Sequence, residues 1–155
     1  MKKLGVLLLA LSAMMAFTGC GSKEATTETP VATAPAATTD EAFTGEKVGE
    51  VADESGKTVA TVTFEAGKPV SVKFDYINAD GSSKYEQAAA GTYVMSEGGI
   101  PWNEQVDAVA AFLAENNFDI EKVNLSDADG HTDAVTGVSI KIPDLLEAVK
   151  AALAA

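Results

Sequence analysis

Val59-Ala60-Thr61-Val62-Thr63-Phe64-Glu65-Ala66-Gly67-Lys68-Pro69-Val70-Ser71-Val72-Lys73-Phe74-Asp75-Tyr76-Ile77 is the stretch whose reading decides the fold. Val59, Thr61 and Thr63 alternate with Ala60, Val62 and Phe64 on two faces. Val70, Val72, Phe74 and Tyr76 recur at the same period of two, which is the signature of half-buried strands. Gly67-Lys68-Pro69 interrupts the pattern as a turn, so the stretch predicts a β-hairpin. Upstream, Gly45 to Ala52 predicts a first strand, joined through the turn Glu54-Ser55-Gly56-Lys57. Downstream, Asn78-Ala79-Asp80-Gly81 closes the sheet segment.

Beyond Gly81 the period changes. From Pro101 to Asn116, Val106, Val109, Ala110 and Leu113 recur at spacings of three and four, which predicts an amphipathic helix. Pro101 suits a first helical turn, and Asn116-Asn117 suits an end. Leu145, Leu146, Val149 and Leu153 predict a second such helix over Pro143 to Ala154. Strands followed by helices specify an α+β domain over residues 45–155, a small antiparallel sheet packed with two amphipathic helices.

The N-terminus reads differently. Lys2 and Lys3 precede an uncharged apolar run from Leu4 to Phe17 of about 14 residues, short of the roughly 20 that span a bilayer. A charged start, a short apolar stretch and small exit residues describe a signal peptide. Thr18-Gly19-Cys20 resembles the lipobox of bacterial lipoproteins, with Phe17 where that family usually has Leu. The resemblance implies a signal over residues 1–19, cleavage before Cys20, and acyl chains of palmitate type on that cysteine. Cys20 is the only cysteine, so no intrachain disulfide forms, and lipidation accounts for a lone thiol on an exported chain. Two or more acyl chains anchor firmly where one binds marginally. The expected location is the extracytoplasmic face of the cell membrane.

Residues 20–44 are rich in Thr, Ala, Glu and Pro and poor in large apolar side chains. They predict a flexible tether, because they bury too little surface to offset chain entropy. The whole chain carries net charge −12. A mature chain loses Lys2 and Lys3, leaving nine lysines against 23 carboxylates, and there is no arginine. Such a chain repels nucleic acid, which is excluded as a partner.

The chemistry concentrates in Ser126-Asp127-Ala128-Asp129-Gly130-His131-Thr132-Asp133-Ala134-Val135-Thr136-Gly137-Val138-Ser139. Hydroxyls and backbone N–H groups leading into a helix can hold a phosphate, and Gly137 permits close backbone approach. Asp133 to Ser139 resembles the Asp-x-x-Ser/Thr-Gly-Ala-Thr/Ser motif of FMN-binding domains, found in flavin-carrying subunits of redox complexes and in electron-transfer lipoproteins. Asp133, Thr136 and Gly137 match. Val138 stands for the usual Ala, and Ser139 for the commoner Thr. The resemblance implies that a flavin transferase, using FAD and Mg²⁺, attaches FMN through a phosphoester to Ser139. It implies an electron carrier serving membrane redox proteins rather than a stand-alone enzyme. Pro101-Trp102-Asn103-Glu104-Gln105 fits the same family pattern, and Trp102, Tyr85, Tyr93 and Phe118 are candidates to pack on the ring.

A second reading stays open from the residues alone. Asp127, Asp129, Gly130 and Asp133 space oxygen ligands around a glycine turn, as Ca²⁺ sites do. The twelfth position from Asp127 is Val138, so the distal carboxylate of an EF-hand is missing. On this reading the acidic loop 127–133 of a non-redox lipoprotein binds a cation or a partner protein. His131 is the only histidine, which excludes a multi-histidine metal centre.

Overall fold

A computed structural model describes residues 42–155. The expected signal peptide, Cys20 and most of the expected tether lie outside these residues. Three strands, β1 (Gly45–Ala52), β2 (Gly56–Glu65) and β3 (Lys68–Asn78), form one antiparallel sheet in the order β1-β2-β3. Three helices follow, α1 (Lys84–Ala89), α2 (Trp102–Glu115) and α3 (Pro143–Ala154), with a 3₁₀ turn at Ile120–Lys122. The fold is α+β, as the two periods in the sequence require. Among the described residues no helix is long and apolar enough to cross a membrane.

The register explains the pattern. Gly49, Ala60 and Phe74 lie in one row across the strands, and Lys47, Val62 and Val72 in the next. Directly opposite residues point to the same face. Ala60, Val62, Phe64, Val72 and Phe74 are all buried there. The opposite face carries Thr61 and Lys73 beside Val48, which is 51% exposed. Val70 departs from its predicted row and is 40% exposed. An irregularity between Thr63 and Phe64 pairs Phe64 with Pro69 and leaves Val70 over. The hairpin also turns earlier than the sequence suggests. Ala66 and Gly67 form it, with φ 48° and 76°, while Lys68 and Pro69 already belong to β3. Two positive φ angles suit the right-handed twist of the flanking strands.

Both large helices pack on the buried face. From α2 come Trp102, Val106, Val109 and Leu113, and from α3 Leu145, Leu146, Ala148, Val149 and Ala152. Leu113, Val106, Val109 and Val149 are fully buried, each contributing about 1.5–3 kcal/mol by burial. Glycine sets how closely α3 approaches β1. A Cβ on Gly49 would stand 1.9 Å from the Ala148 carbonyl oxygen, so any larger residue forces strand and helix apart.

The short helix α1 has a local cause the apolar period does not report. Ser83 caps it, its hydroxyl accepting from Glu86 N at 3.0 Å. The half-buried Asp75 then ties this cap to β3, accepting from Ser83 Oγ at 2.6 Å and from Tyr85 N at 3.0 Å.

Candidate functional site

The loop between the 3₁₀ turn and α3 consists of two successive turns. The first is acidic. Leu125 pairs with Thr132 in an isolated bridge, and Ser126 N donates to His131 O at 2.8 Å. Asp127 organises it from inside: Oδ1 accepts from Asp129 N at 2.9 Å and His131 N at 3.0 Å, and Oδ2 pairs with His131 Nδ1 at 2.7 Å. The backbone N–H of His131, then its ring, hold the Asp127 carboxyl below its usual pKa. Asp129 faces Lys141 at 3.6 Å. These carboxylates close a turn and meet a lysine. Among the described residues no three Asp, Glu, His or Cys side chains converge to hold a metal ion.

The second turn carries the motif. Thr132 Oγ1 donates to Asn124 O at 2.7 Å and accepts from Ala134 N at 3.1 Å, fixing the entry. Val138 N donates to Val135 O at 3.3 Å and closes the turn. Gly137 has φ 82°, the left-handed region that side chains resist. A Cβ there would also stand 3.0 Å from Ile100 Cδ1. Val135 and Val138 point into the core at 8% and 9% exposure. The larger residue at the motif's alanine position therefore anchors the turn and does not crowd its outer side. Asp133, Thr136 and Ser139 are exposed.

Ser139 is held from behind by Gln105, which is 2% exposed on α2. Gln105 Oε1 accepts from Ser139 N at 2.8 Å and from Ser139 Oγ at 3.3 Å. Gln105 Nε2 donates to Ile100 O at 2.8 Å. One buried amide thus joins the motif to the segment before α2. Because the Ser139 hydroxyl donates inward, its lone pairs remain free to face solvent. That neighbouring segment offers apolar surface, with Val94 67%, Met95 42% and Ile100 46% exposed.

A cavity of about 170 Å³ adjoins the end of the motif. Ile140 and Lys141, the residues after Ser139, line it with Thr58, Tyr76, Lys84 and Trp102. A larger cavity of about 460 Å³ lies over Thr61, Lys73 and Asp75 and includes no motif residue. Of the four aromatic candidates, Trp102 lines the smaller cavity, while the half-buried Tyr93 stacks under Lys84 and lines a separate hollow with Val94, Met95 and Ile100. Tyr85 instead lines the larger cavity, its hydroxyl donating to Asp107 Oδ2 at 2.9 Å. That bond raises the Tyr85 pKa. Phe118 is buried in the core past the end of α2, at 6% exposure. Asn103 Oδ1, in the first turn of α2, is buried without a hydrogen-bond partner.

Lys84, Tyr76 and Gln105 join the candidate site only in the folded chain. Signals for them exist. Ser83-x-x-Glu86 is a capping box that announces a helix carrying Lys84. Gln105 is a polar residue on the stripe Trp102, Val106, Val109, Leu113, where a buried amide needs partners.

The fold and site define a small α+β domain with a hydroxyl-bearing motif loop braced against its first large helix. No family model matches the chain, and no curated protein matches it. Among solved structures it is similar to a Clostridium thermocellum protein determined in solution by NMR as a structural-genomics target. The two are 37% identical, with a TM-score of 0.51, over 70% of this chain and 88% of the other. The chain belongs to the same family as that protein.

Proposed function

We propose that this protein is a lipid-anchored, extracytoplasmic electron carrier that holds FMN through a phosphoester on Ser139. The carrying observation is the exposed Ser139 hydroxyl. It sits at the end of the Asp133–Ser139 motif, pinned through Gln105 Oε1 to a buried position on α2.

The residues present fit such a group. Ser139 offers a nucleophilic oxygen on an exposed loop, and Gly137 supplies the turn that presents it. Val94, Met95 and Ile100 offer apolar surface on the segment joined to it, and Trp102 and Tyr76 line the cavity beside it. Attachment is a phosphoryl transfer on the transferase. Ser139 Oγ attacks the flavin-side phosphorus of FAD, a Ser–O–P bond forms, and the pyrophosphate P–O bond breaks. AMP leaves, and the hydroxyl proton passes to a base of the transferase. Before attack Gln105 restricts the rotation of the Ser139 hydroxyl, which lowers the entropic part of the barrier, and the bond is given up as the proton passes to that base.

The bound flavin supplies the redox chemistry, and the chain supplies position and electrostatics. A covalent link suits an exported carrier, because a dissociable cofactor outside the cell is lost by diffusion. The lipid on Cys20 keeps the carrier at the membrane, and the tether of residues 20–44 gives it reach toward membrane redox partners.

The test is co-expression of the full chain with a flavin transferase, followed by intact mass. The expected result is one FMN adduct on the wild type and none on Ser139→Ala. An unmodified wild type, or an adduct surviving Ser139→Ala, contradicts the proposal. Cys20→Ala is expected to move the protein from the membrane to the soluble fraction.

A further inference from the structure

The Lys84 ammonium lies over three rings at once, 4.7 Å from the centre of Tyr93, 5.0 Å from Trp102 and 5.4 Å from Tyr76. Among the described residues the ion pairs are Lys57–Glu50, His131–Asp127 and Lys141–Asp129, so no carboxylate lies within pairing distance of Lys84. That is unusual in a chain of net charge −12, where a half-buried lysine readily finds an acid. Aromatic faces hold a cation by their quadrupoles and leave its charge unneutralised. The three rings come from β3, the segment after α1, and α2, so they fix Lys84 against three parts of the fold.

This charge borders the cavity of about 170 Å³ whose lining includes Lys141, Trp102 and Tyr76, with Asp144 as its carboxylate. Lys141 already faces Asp129 at 3.6 Å, so Lys84 is the lysine of the lining without a paired carboxylate. Ile140 and Lys141 directly follow Ser139 in the chain, so a group tethered at Ser139 starts beside the lining. The unpaired Lys84 charge suits the edge of a planar ring that bears a negative charge.

We infer that the Tyr76–Lys84–Trp102–Lys141 cavity is a subsite for an anionic aromatic ring, and that Lys84 favours the reduced flavin over the oxidised one. The inference rests on the flavin reading above. Oxidised flavin is neutral in its ring. Two electrons and one proton convert it to a monoanion, and only that form gains Coulomb energy from Lys84. With partial solvent screening the preference is about tenfold.

The experiment separates the subsite from the tether. The full chain carrying Ser139→Ala accepts no phosphoester, and Trp102, the only tryptophan, reports binding by fluorescence. Riboflavin, which has no phosphate, is titrated in oxidised and in chemically reduced form at mildly alkaline pH. The expected result is about tenfold tighter binding of the reduced form, lost in Lys84→Met and kept in Lys84→Arg, with inorganic phosphate unable to compete. In the FMN-loaded protein, Lys84→Met is expected to lower the midpoint potential by about 30 mV, the two-electron equivalent of tenfold. Equal affinity for both forms, a preference that survives Lys84→Met, or displacement by phosphate overturns the inference. A redox preference without an adduct on wild-type Ser139 supports the subsite and overturns the tether. An adduct without the preference does the reverse. Thermal melting of both Lys84 variants identifies a loss caused by misfolding, and Lys84→Arg then decides the outcome.

Discussion

Two long connections lead into the two large helices, and they are built on opposite principles. The one before α2 is apolar and outward, with Val94, Met95 and Ile100 exposed. The one before α3 is polar and self-braced, its backbone tied by Asp127 and Thr132 while Val135 and Val138 plug into the core. The first has surface without much internal fixing. The second has fixing and the exposed Ser139 hydroxyl. Among the described residues Gln105 alone hydrogen-bonds to both through its side chain, to Ile100 O and to Ser139 N. The difference teaches that the candidate site is a junction: the Ser139 hydroxyl comes from one segment and the apolar wall of Val94, Met95 and Ile100 from the other.

Breaking the junction is expected to have the largest effect. Gln105→Leu removes an acceptor and a donor together and leaves the Ser139 N–H and the Ile100 carbonyl unpaired. The expected loss is about 2–3 kcal/mol by denaturant unfolding, with a fall in FMN loading. Gln105→Glu keeps the acceptor for Ser139 N, so its loading is expected to exceed that of Gln105→Leu. Equal loading in Gln105→Leu and wild type would remove Gln105 from the account.

Gly137→Ala tests the polar connection by itself. A side chain at φ 82° costs about 1–2 kcal/mol, and its Cβ presses on Ile100 Cδ1 at 3.0 Å. Unchanged stability would mean that the turn relaxes freely and that its geometry does not set the position of Ser139.

What was legible in the sequence follows the same division. Period two gave the strands, and periods near 3.6 gave α2 and α3, since burial of one face produces those repeats whatever the details. β1 and α3 start and end where their patterns do. Helix α1 left no apolar stripe because it is six residues long and is held by Ser83 and Asp75. The turn at Ala66-Gly67 displaced the predicted one because Pro69 is tolerated on an edge strand, as β3 is. The motif was legible as a string of residue types. Its support by Gln105, 34 positions away, was not, since pairing of that kind has no local period. The aromatic seat of Lys84 is hidden for the same reason.

Acid probes the bracing at smaller scale. The folded-state pKa of Asp127 lies below 3.8, so its contribution is complete above that value and is lost as pH falls through the lowered pKa. Melting temperatures as pH falls below 3.8 are expected to fall less steeply in Asp127→Asn, whose amide oxygen still accepts the two backbone N–H groups. Equal slopes would show that the turn does not depend on the charge.

The smallest effect is expected on the apolar side. Val94→Ser removes an exposed side chain and should change stability by less than about 0.5 kcal/mol. A larger loss, read by the same denaturant unfolding, would show that this connection packs as tightly as the other.

The central claim, a flavin on Ser139, is tested most directly by peptide mass. Trypsin cuts after Lys122 and Lys141 and releases Val123–Lys141, which holds the whole motif. From protein co-expressed with a flavin transferase, the account predicts that this peptide carries one FMN and that fragmentation places it on Ser139. An unmodified peptide, or FMN on Thr136 or Ser126, would contradict it.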